Sequence, residues 1–229
     1  MNQRVLPAPD KFAVCPLDGA ILPFYEGVFE AAFVLLSPFL RPRSPSVKIF
    51  PHTTADELCR TCDPVRWSEV QVLSGLPSLA AIDVALRTNI LGLKKALAND
   101  ALAIQLNDRL SQHGLLPPCE GMFPELSLDP VLSFIQSLGS EWVWVGDELC
   151  TERKLHWIDD LKPAKAETTL TQGSVFTPEK STLWTVHWDS HFSLFCSTRE
   201  NVERLSRHSD LEGFICGPAT EVYWSIWNA

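Results

Sequence analysis

The sequence predicts an α+β protein, with a helical N-terminal half packed on a C-terminal antiparallel sheet of β-β-α-β-β order. Three observations carry that expectation. Apolar residues at three- and four-residue spacings dominate from about 52 to 139. Alternating, tryptophan-rich segments dominate 140–229, and a capping-box helix start interrupts them. A chain of 229 residues buries about 70% of its unfolded surface, enough for a core without a metal or disulfide. One domain over 1–229 is expected, helix-rich at 52–139 and sheet-rich at 140–229.

The elements follow in order. Seven of the seventeen prolines fall in the first fifty residues, which therefore read as irregular or short-strand structure. Phe33 to Leu36 reads as a buried strand or helical turn, and RPRSPS (41–46) as a loop. Asp63-Pro64 suits a helix start, followed by Val65, Val70 and Leu73 on one side and a stop at Gly75. Leu79, Ile82, Leu86, Ile90, Leu93 and Leu97 form the stripe of one long core-facing helix. A third helix runs from Asp100 to His113, with Leu102, Leu106 and Leu110 on one side, Gly114 as its cap, and Pro117 and Pro118 behind it. A fourth lies between Asp129-Pro130 and Gly139, with Val131, Phe134, Ile135 and Leu138 apolar.

Beyond Gly139, Glu141 to Val145 is a short strand, and Lys154 to Leu161 is open between helix and strand. In LWTVHWDSHFSLFC a three-residue loop, Asp189 to His191, pairs Trp188 with Phe192 and Val186 with Leu194. That register puts both alternating sets on one face. Ser197-Thr-Arg-Glu200 is a capping box that starts a helix with Val202 and Leu205 inward. A closing hairpin across Gly217 to Thr220 pairs Cys216 with Glu221 and Ile215 with Val222, gathering Leu211, Ile215, Val222, Trp224 and Ile226. Trp142, Trp144, Trp184, Trp188, Trp224 and Trp227 all fall on expected strands. Any left outside the core are candidate interface anchors.

The net charge is −9 and the pI about 5.1, which argues against a protein that grips nucleic acid by neutralising phosphates. The charge is uneven: residues 1–117 balance eleven acids with eleven bases, whereas 118–167 hold ten acids and four bases. Asp147, Glu148, Glu152, Asp159 and Asp160 are the candidate partner-binding residues, an acidic face that speeds association with a basic partner. The seven cysteines are odd in number and scattered, which suits reduced thiols in a cytosol. The most apolar stretch, Val28 to Leu40, is shorter than a membrane span and contains Glu30 and Pro38. A cytoplasmic protein without membrane or nucleic-acid partners is expected.

His187-x-Asp189-x-His191 is the one clustered set of ligand-type side chains. On a continuous strand all three share a face, and two imidazoles with a carboxylate suit Zn²⁺ or Fe²⁺. At a hairpin tip, Asp189 is simply a good turn residue. Cys59-x-x-Cys62 lacks two further ligands, with only His52 close by, and reads as ordinary thiols. Nucleophile-elbow, phosphate-loop, dinucleotide and zinc-protease patterns are absent from the sequence.

Four stretches, TVHWDSHFSLF (185–195), LEGFICGPATEVYWSIW (211–227), LLSPFLRPRS (35–44) and ALRTNILGLKKALA (85–98), resemble a bacterial domain family of unknown function. The tail is also similar to immunity proteins of polymorphic toxin systems. The resemblance covers about half the chain, and its motifs are aromatic and structural. It implies a fold and carries no catalytic residue. The leading expectation is a cytoplasmic immunity protein, without cofactor, that neutralises a bacterial toxin by occluding its active site. Its acidic residues would meet a basic cleft, with an exposed tryptophan as anchor. The alternative is a metal-dependent, hydrolase-like enzyme using His187, Asp189 and His191.

Overall fold

Ala31 to Leu36 is apolar at every position, the pattern of a strand covered on both faces rather than one. In a computed structural model of the chain, which describes residues 7–50, 53–165 and 170–227, this segment is wholly buried near one end of a seven-stranded sheet. The described strands are β1 (Ala31–Leu36), β2 (Phe39–Pro42), β3 (Cys62–Val65), β4 (Trp142–Gly146), β5 (Arg153–Trp157), β6 (Ser174–Phe176), β7 (Leu183–Val186), β8 (Phe192–Ser197) and β9 (Gly213–Ile215). The α-helices are α1 (Ile21–Phe24), α2 (Ala55–Thr61), α3 (Trp67–Ser74), α4 (Leu79–Asn89), α5 (Asp100–His113), α6 (Leu128–Ser137), α7 (Arg199–Ser206) and α8 (Trp224–Trp227). No single helix among the described residues is long and apolar enough to cross a membrane.

The main sheet runs β5-β4-β6-β7-β8-β1-β9, and its neighbouring strands are antiparallel. The protein is thus α+β, but β1 enters the sheet from the N-terminal half, between β8 and β9. Strands β2 and β3 form a separate pair. Two cores sandwich the main sheet. On one face Val34, Leu183, Phe192 and Leu194 meet Trp67, Ile82, Leu86 and Leu106 of α3, α4 and α5. On the other, Phe33, Val143, Trp184 and Phe195 meet Val131 and Ile135 of α6 and Val202 and Leu205 of α7.

This double cover changes the β7–β8 register. Val186 faces Ser193 and Trp184 faces Phe195, so the two alternating sets lie on opposite faces, not on one. Alternation fixes a register only where a single face is buried. With a core on each side, either parity buries apolar residues, and the loop His187–His191 is longer than the expected three residues.

Three further expectations are corrected. Asp63-Pro64 lies in β3, because Leu40 pairs with Pro64 and Arg41 with Asp63; the helix α3 starts at Trp67 instead, and ends at Gly75 in the left-handed region. The long 79–97 helix stops at Asn89. Leu91 takes φ 59°, and Thr88 Oγ1 accepts from Asn99 N at 3.0 Å, folding the chain back onto the start of α5. The final expected strand is the helical turn α8. Its register is lost because Ile21 N donates to Thr220 O and Val222 N to Gly19 O, both at 2.9 Å, so residues 220–222 pair with the N-terminal segment and not with β9. Trp224 and Trp227 therefore lie on a helix.

Other boundaries agree closely. α5 spans Asp100–His113 with Gly114 at φ 62°, β4 lies where expected, and Lys154 to Leu161 divides into strand and a 3₁₀ turn. The cap of α7 is Thr198, one residue beyond the expected box.

Candidate functional site

Two places gather the side chains singled out in the sequence. The first is a buried polar cluster under one end of α4. Asp83 and Arg87, one helical turn apart, are both fully buried. The guanidinium is used completely: Nε donates to Asp83 Oδ2 (2.8 Å), Nη1 to Asp189 O (3.0 Å) and Oδ1 (3.2 Å), and Nη2 to Ser190 Oγ (2.7 Å) and Val222 O (3.4 Å). From the C-terminal segment Ser225 Oγ donates to Asp83 Oδ2 at 2.6 Å, and the Tyr223 hydroxyl to Asp189 Oδ2 at 3.1 Å.

His187 and Asp189 come together here. His187 Nε2 donates to Leu17 O at 2.9 Å, while Nδ1 faces Asp189 Oδ1 at 2.8 Å and Ser190 Oγ at 3.0 Å. Burial raises the Asp189 carboxyl, but the His187 hydrogen bond and the charges of His187 and Arg87 outweigh it and hold the group below the usual carboxylate range. His191 is also buried, with Nδ1 lacking a hydrogen-bond partner among the described residues. Burial pushes its imidazole down to about 4, against the opposing pull of Asp83; Arg87 lowers it further and Asp189 raises it.

This geometry does not build the metal centre of the alternative reading. Asp189 is held by Arg87, Tyr223 and His187, both His187 nitrogens are engaged, and no three His, Cys, Asp or Glu side chains among the described residues are placed to hold a metal. Ser190, His187 and Asp189 also fail as a nucleophilic relay. Serine and carboxylate meet the same nitrogen, Nδ1, whereas proton transfer needs them on opposite sides of the ring. The cluster is a structural keystone joining α4, the β7–β8 loop and the C-terminal segment. Arg87, Asp83, Tyr223 and Ser225 were not singled out in the sequence. The available signal was an acid–base pair at i,i+4 inside the otherwise apolar run LAAIDVALRTN.

The second place is the β4–β5 hairpin at the sheet edge. Trp142 pairs with Trp157 and Trp144 with Leu155, so four large apolar side chains share one face. Trp142, Leu155 and Trp157 are 43%, 40% and 36% exposed, and the two indoles meet edge-on at 5.0 Å. The opposite face carries Val143, fully buried in the second core. No strand among the described residues pairs with the outer edge of β5.

The five acidic candidates divide around this hairpin. Asp147 shapes the tip, accepting from Leu149 N, Thr151 N and Glu152 N. Its slight desolvation raises the carboxyl, and the Thr151 and Glu152 hydrogen bonds more than reverse this. Glu148 and Glu152 sit exposed beside it without ion-pair partners among the described residues. Asp159 and Asp160 lie past the far end of β5. Asp159 is committed to Lys162 and Gln136, whose hydrogen bonds hold its carboxyl low, and to Lys165. Arg153 and Lys154 stand between the two groups, so the five form two acidic ends and not one patch. Trp188, expected on a strand, is 55% exposed in the β7–β8 loop.

Cys59 and Cys62 are free thiols on α2 and β3, as read from the sequence. A family model described as "Protein of unknown function (DUF2711)" matches residues 18–226. No curated protein and no solved structure matches the chain.

Proposed function

The chain belongs to the DUF2711 family, whose description assigns no activity, and we propose that it is a cytoplasmic binding protein that docks a protein partner on the β4–β5 hairpin. The observation that carries this reading is the pair Trp142 and Trp157, each more than one-third exposed on one face of the hairpin whose outer strand, β5, is the open sheet edge. Solvated indoles gain most from desolvation by a partner, and tryptophan is over-represented among residues that dominate interface energy. The outward amides and carbonyls of β5 offer main-chain hydrogen bonds to an added strand. Glu148 and Glu152 at the tip, with Asp160 beyond β5, steer a basic partner toward that edge. The most specific form of the proposal is an immunity protein that covers the basic active-site cleft of a toxin domain, as the resemblance of the tail suggests.

The test is co-expression with toxin-domain products encoded beside this gene. The expected result is restored growth and a purified one-to-one complex. Trp157→Ala should weaken that complex by at least about tenfold. Glu148→Lys with Glu152→Lys should slow association at low salt and flatten its salt dependence. A complex that forms equally fast and tightly with all three substitutions overturns the reading.

A further inference from the structure

A cleft of about 620 Å³ opens beside the buried cluster, between the Leu17–Gly19 segment, the Gly92–Leu97 turn and the C-terminal residues Glu221, Tyr223 and Ile226. Its volume falls in the range of small-molecule sites, about 300–1,000 Å³. The apolar wall has an unusual origin. Leu93 and Leu97 belong to the helical stripe that runs on from α4 in the sequence, but the break at Leu91 takes them out of the core and places them at the cleft. A non-glycine residue in the left-handed region is strained and persists only where its surroundings impose it. Leu17 and Leu97 stay 60% and 39% exposed, so this wall is open to an apolar ligand.

The polar groups of the cleft are acceptors. The Tyr223 hydroxyl spends its proton on Asp189, so toward the cleft it offers lone pairs. Its ring is held by Arg87, whose guanidinium carbon lies 4.7 Å from the ring centroid. Asp18 and Glu221 line the same cleft and add carboxylate acceptors to it. Against these stands Lys94, at the rim and without an ion pair among the described residues.

We propose that this cleft binds a small organic cation, a primary amine on an apolar or aromatic body. The ammonium donates to Tyr223 Oη and to the carboxylates of Asp18 and Glu221, and the body lies on Leu17, Leu93, Leu97 and Ile226. The site is separate from the β4–β5 hairpin, and neither proposal depends on the other.

Calorimetric titration of the full chain with tryptamine, and separately with indole-3-propionate, tests the assignment. The two probes share an aromatic body of similar size but carry opposite charge. Tryptamine is expected to bind with a Kd of about 1 mM or tighter and indole-3-propionate at least about tenfold more weakly. Glu221→Gln, an exchange at a partly exposed position, should reduce tryptamine affinity about fivefold or more while leaving the melting temperature unchanged. Tyr223→Phe should weaken it further. Equal or tighter binding of the anion, no binding of either probe, or an unaltered tryptamine affinity in folded Glu221→Gln overturns the proposal.

Discussion

Arg87→Met removes the guanidinium while keeping an unbranched side chain of similar reach. In the wild type five hydrogen bonds converge on that group, from Asp83, Asp189 (backbone and side chain), Ser190 and Val222. Removing one partner of a buried ion pair costs about 3–5 kcal/mol, because the other charge stays buried without compensation. Here two carboxylates lose the same partner, one with its side chain 0% and the other 6% exposed. The uncharged acceptors add about 1 kcal/mol each, but losses within one site are not additive. The expected penalty is about 5 kcal/mol, a large part of the 5–15 kcal/mol that holds a domain folded. Urea unfolding followed by tryptophan fluorescence and far-ultraviolet circular dichroism reads it as a fall in midpoint of about 2 M. A triple variant, Asp83→Asn with Arg87→Met and Asp189→Asn, leaves no buried carboxylate stranded and should recover at least half of the loss. A midpoint shift below about 0.5 M for the single variant, or a triple variant less stable than the single, would refute the keystone role.

Two further outcomes follow from the same structure. Between pH 6.5 and about 4, the unfolded chain takes up a proton on His191 that the folded chain refuses, so acidification through that window removes stability, by about 3 kcal/mol in total. His191→Asn should abolish that part of the slope when unfolding free energies are compared at pH 7 and 4.5, and parallel pH profiles would show the assignment to be wrong. Gly213→Ala places a Cβ hard against Val34 O and 2.7 Å from the Phe33 ring. Strand β9 must then lift from β1, at a cost of about 2–4 kcal/mol, and calorimetric melting within about 1 °C of wild type would contradict that packing.

The helical part was most legible where local chemistry closes on itself. α5 carries its own cap signals in Asn99 and Gly114, so its limits need no tertiary information. The β7–β8 register was not legible, because alternation identifies a face only when one face is wet, and here both are dry. The closing strand was lost for a different reason. Glu221 and Val222 have strand character, but their bonds go to Gly19, Ala20 and Ile21, about two hundred residues away in sequence. At the site, His187 and Asp189 meet in the fold, but their spacing in the sequence leaves the chemistry open between a turn and a metal site. That was decided by Arg87, which arrives from α4 and engages the carboxylate the metal reading required. The tryptophans could be counted in the sequence, but their exposure depends on tertiary placement: Trp142 and Trp157 share one face of the β4–β5 hairpin, and Trp188 falls in the β7–β8 loop.

The position of β1 also sets a timetable for making the protein. Its Ala-Ala-Phe-Val-Leu-Leu run leaves the ribosome long before Phe192–Ser197, the strand that covers one of its edges. Roughly 155 residues must be added in between, which takes roughly 8–30 s at ordinary synthesis rates. Throughout that interval the most apolar strand of the sheet has neither neighbour available, and the sheet cannot nucleate around it. The central layer therefore cannot close around β1 until residues 192–197 have been made, and residues 31–36 wait without a strand partner through an interval that the finished fold conceals.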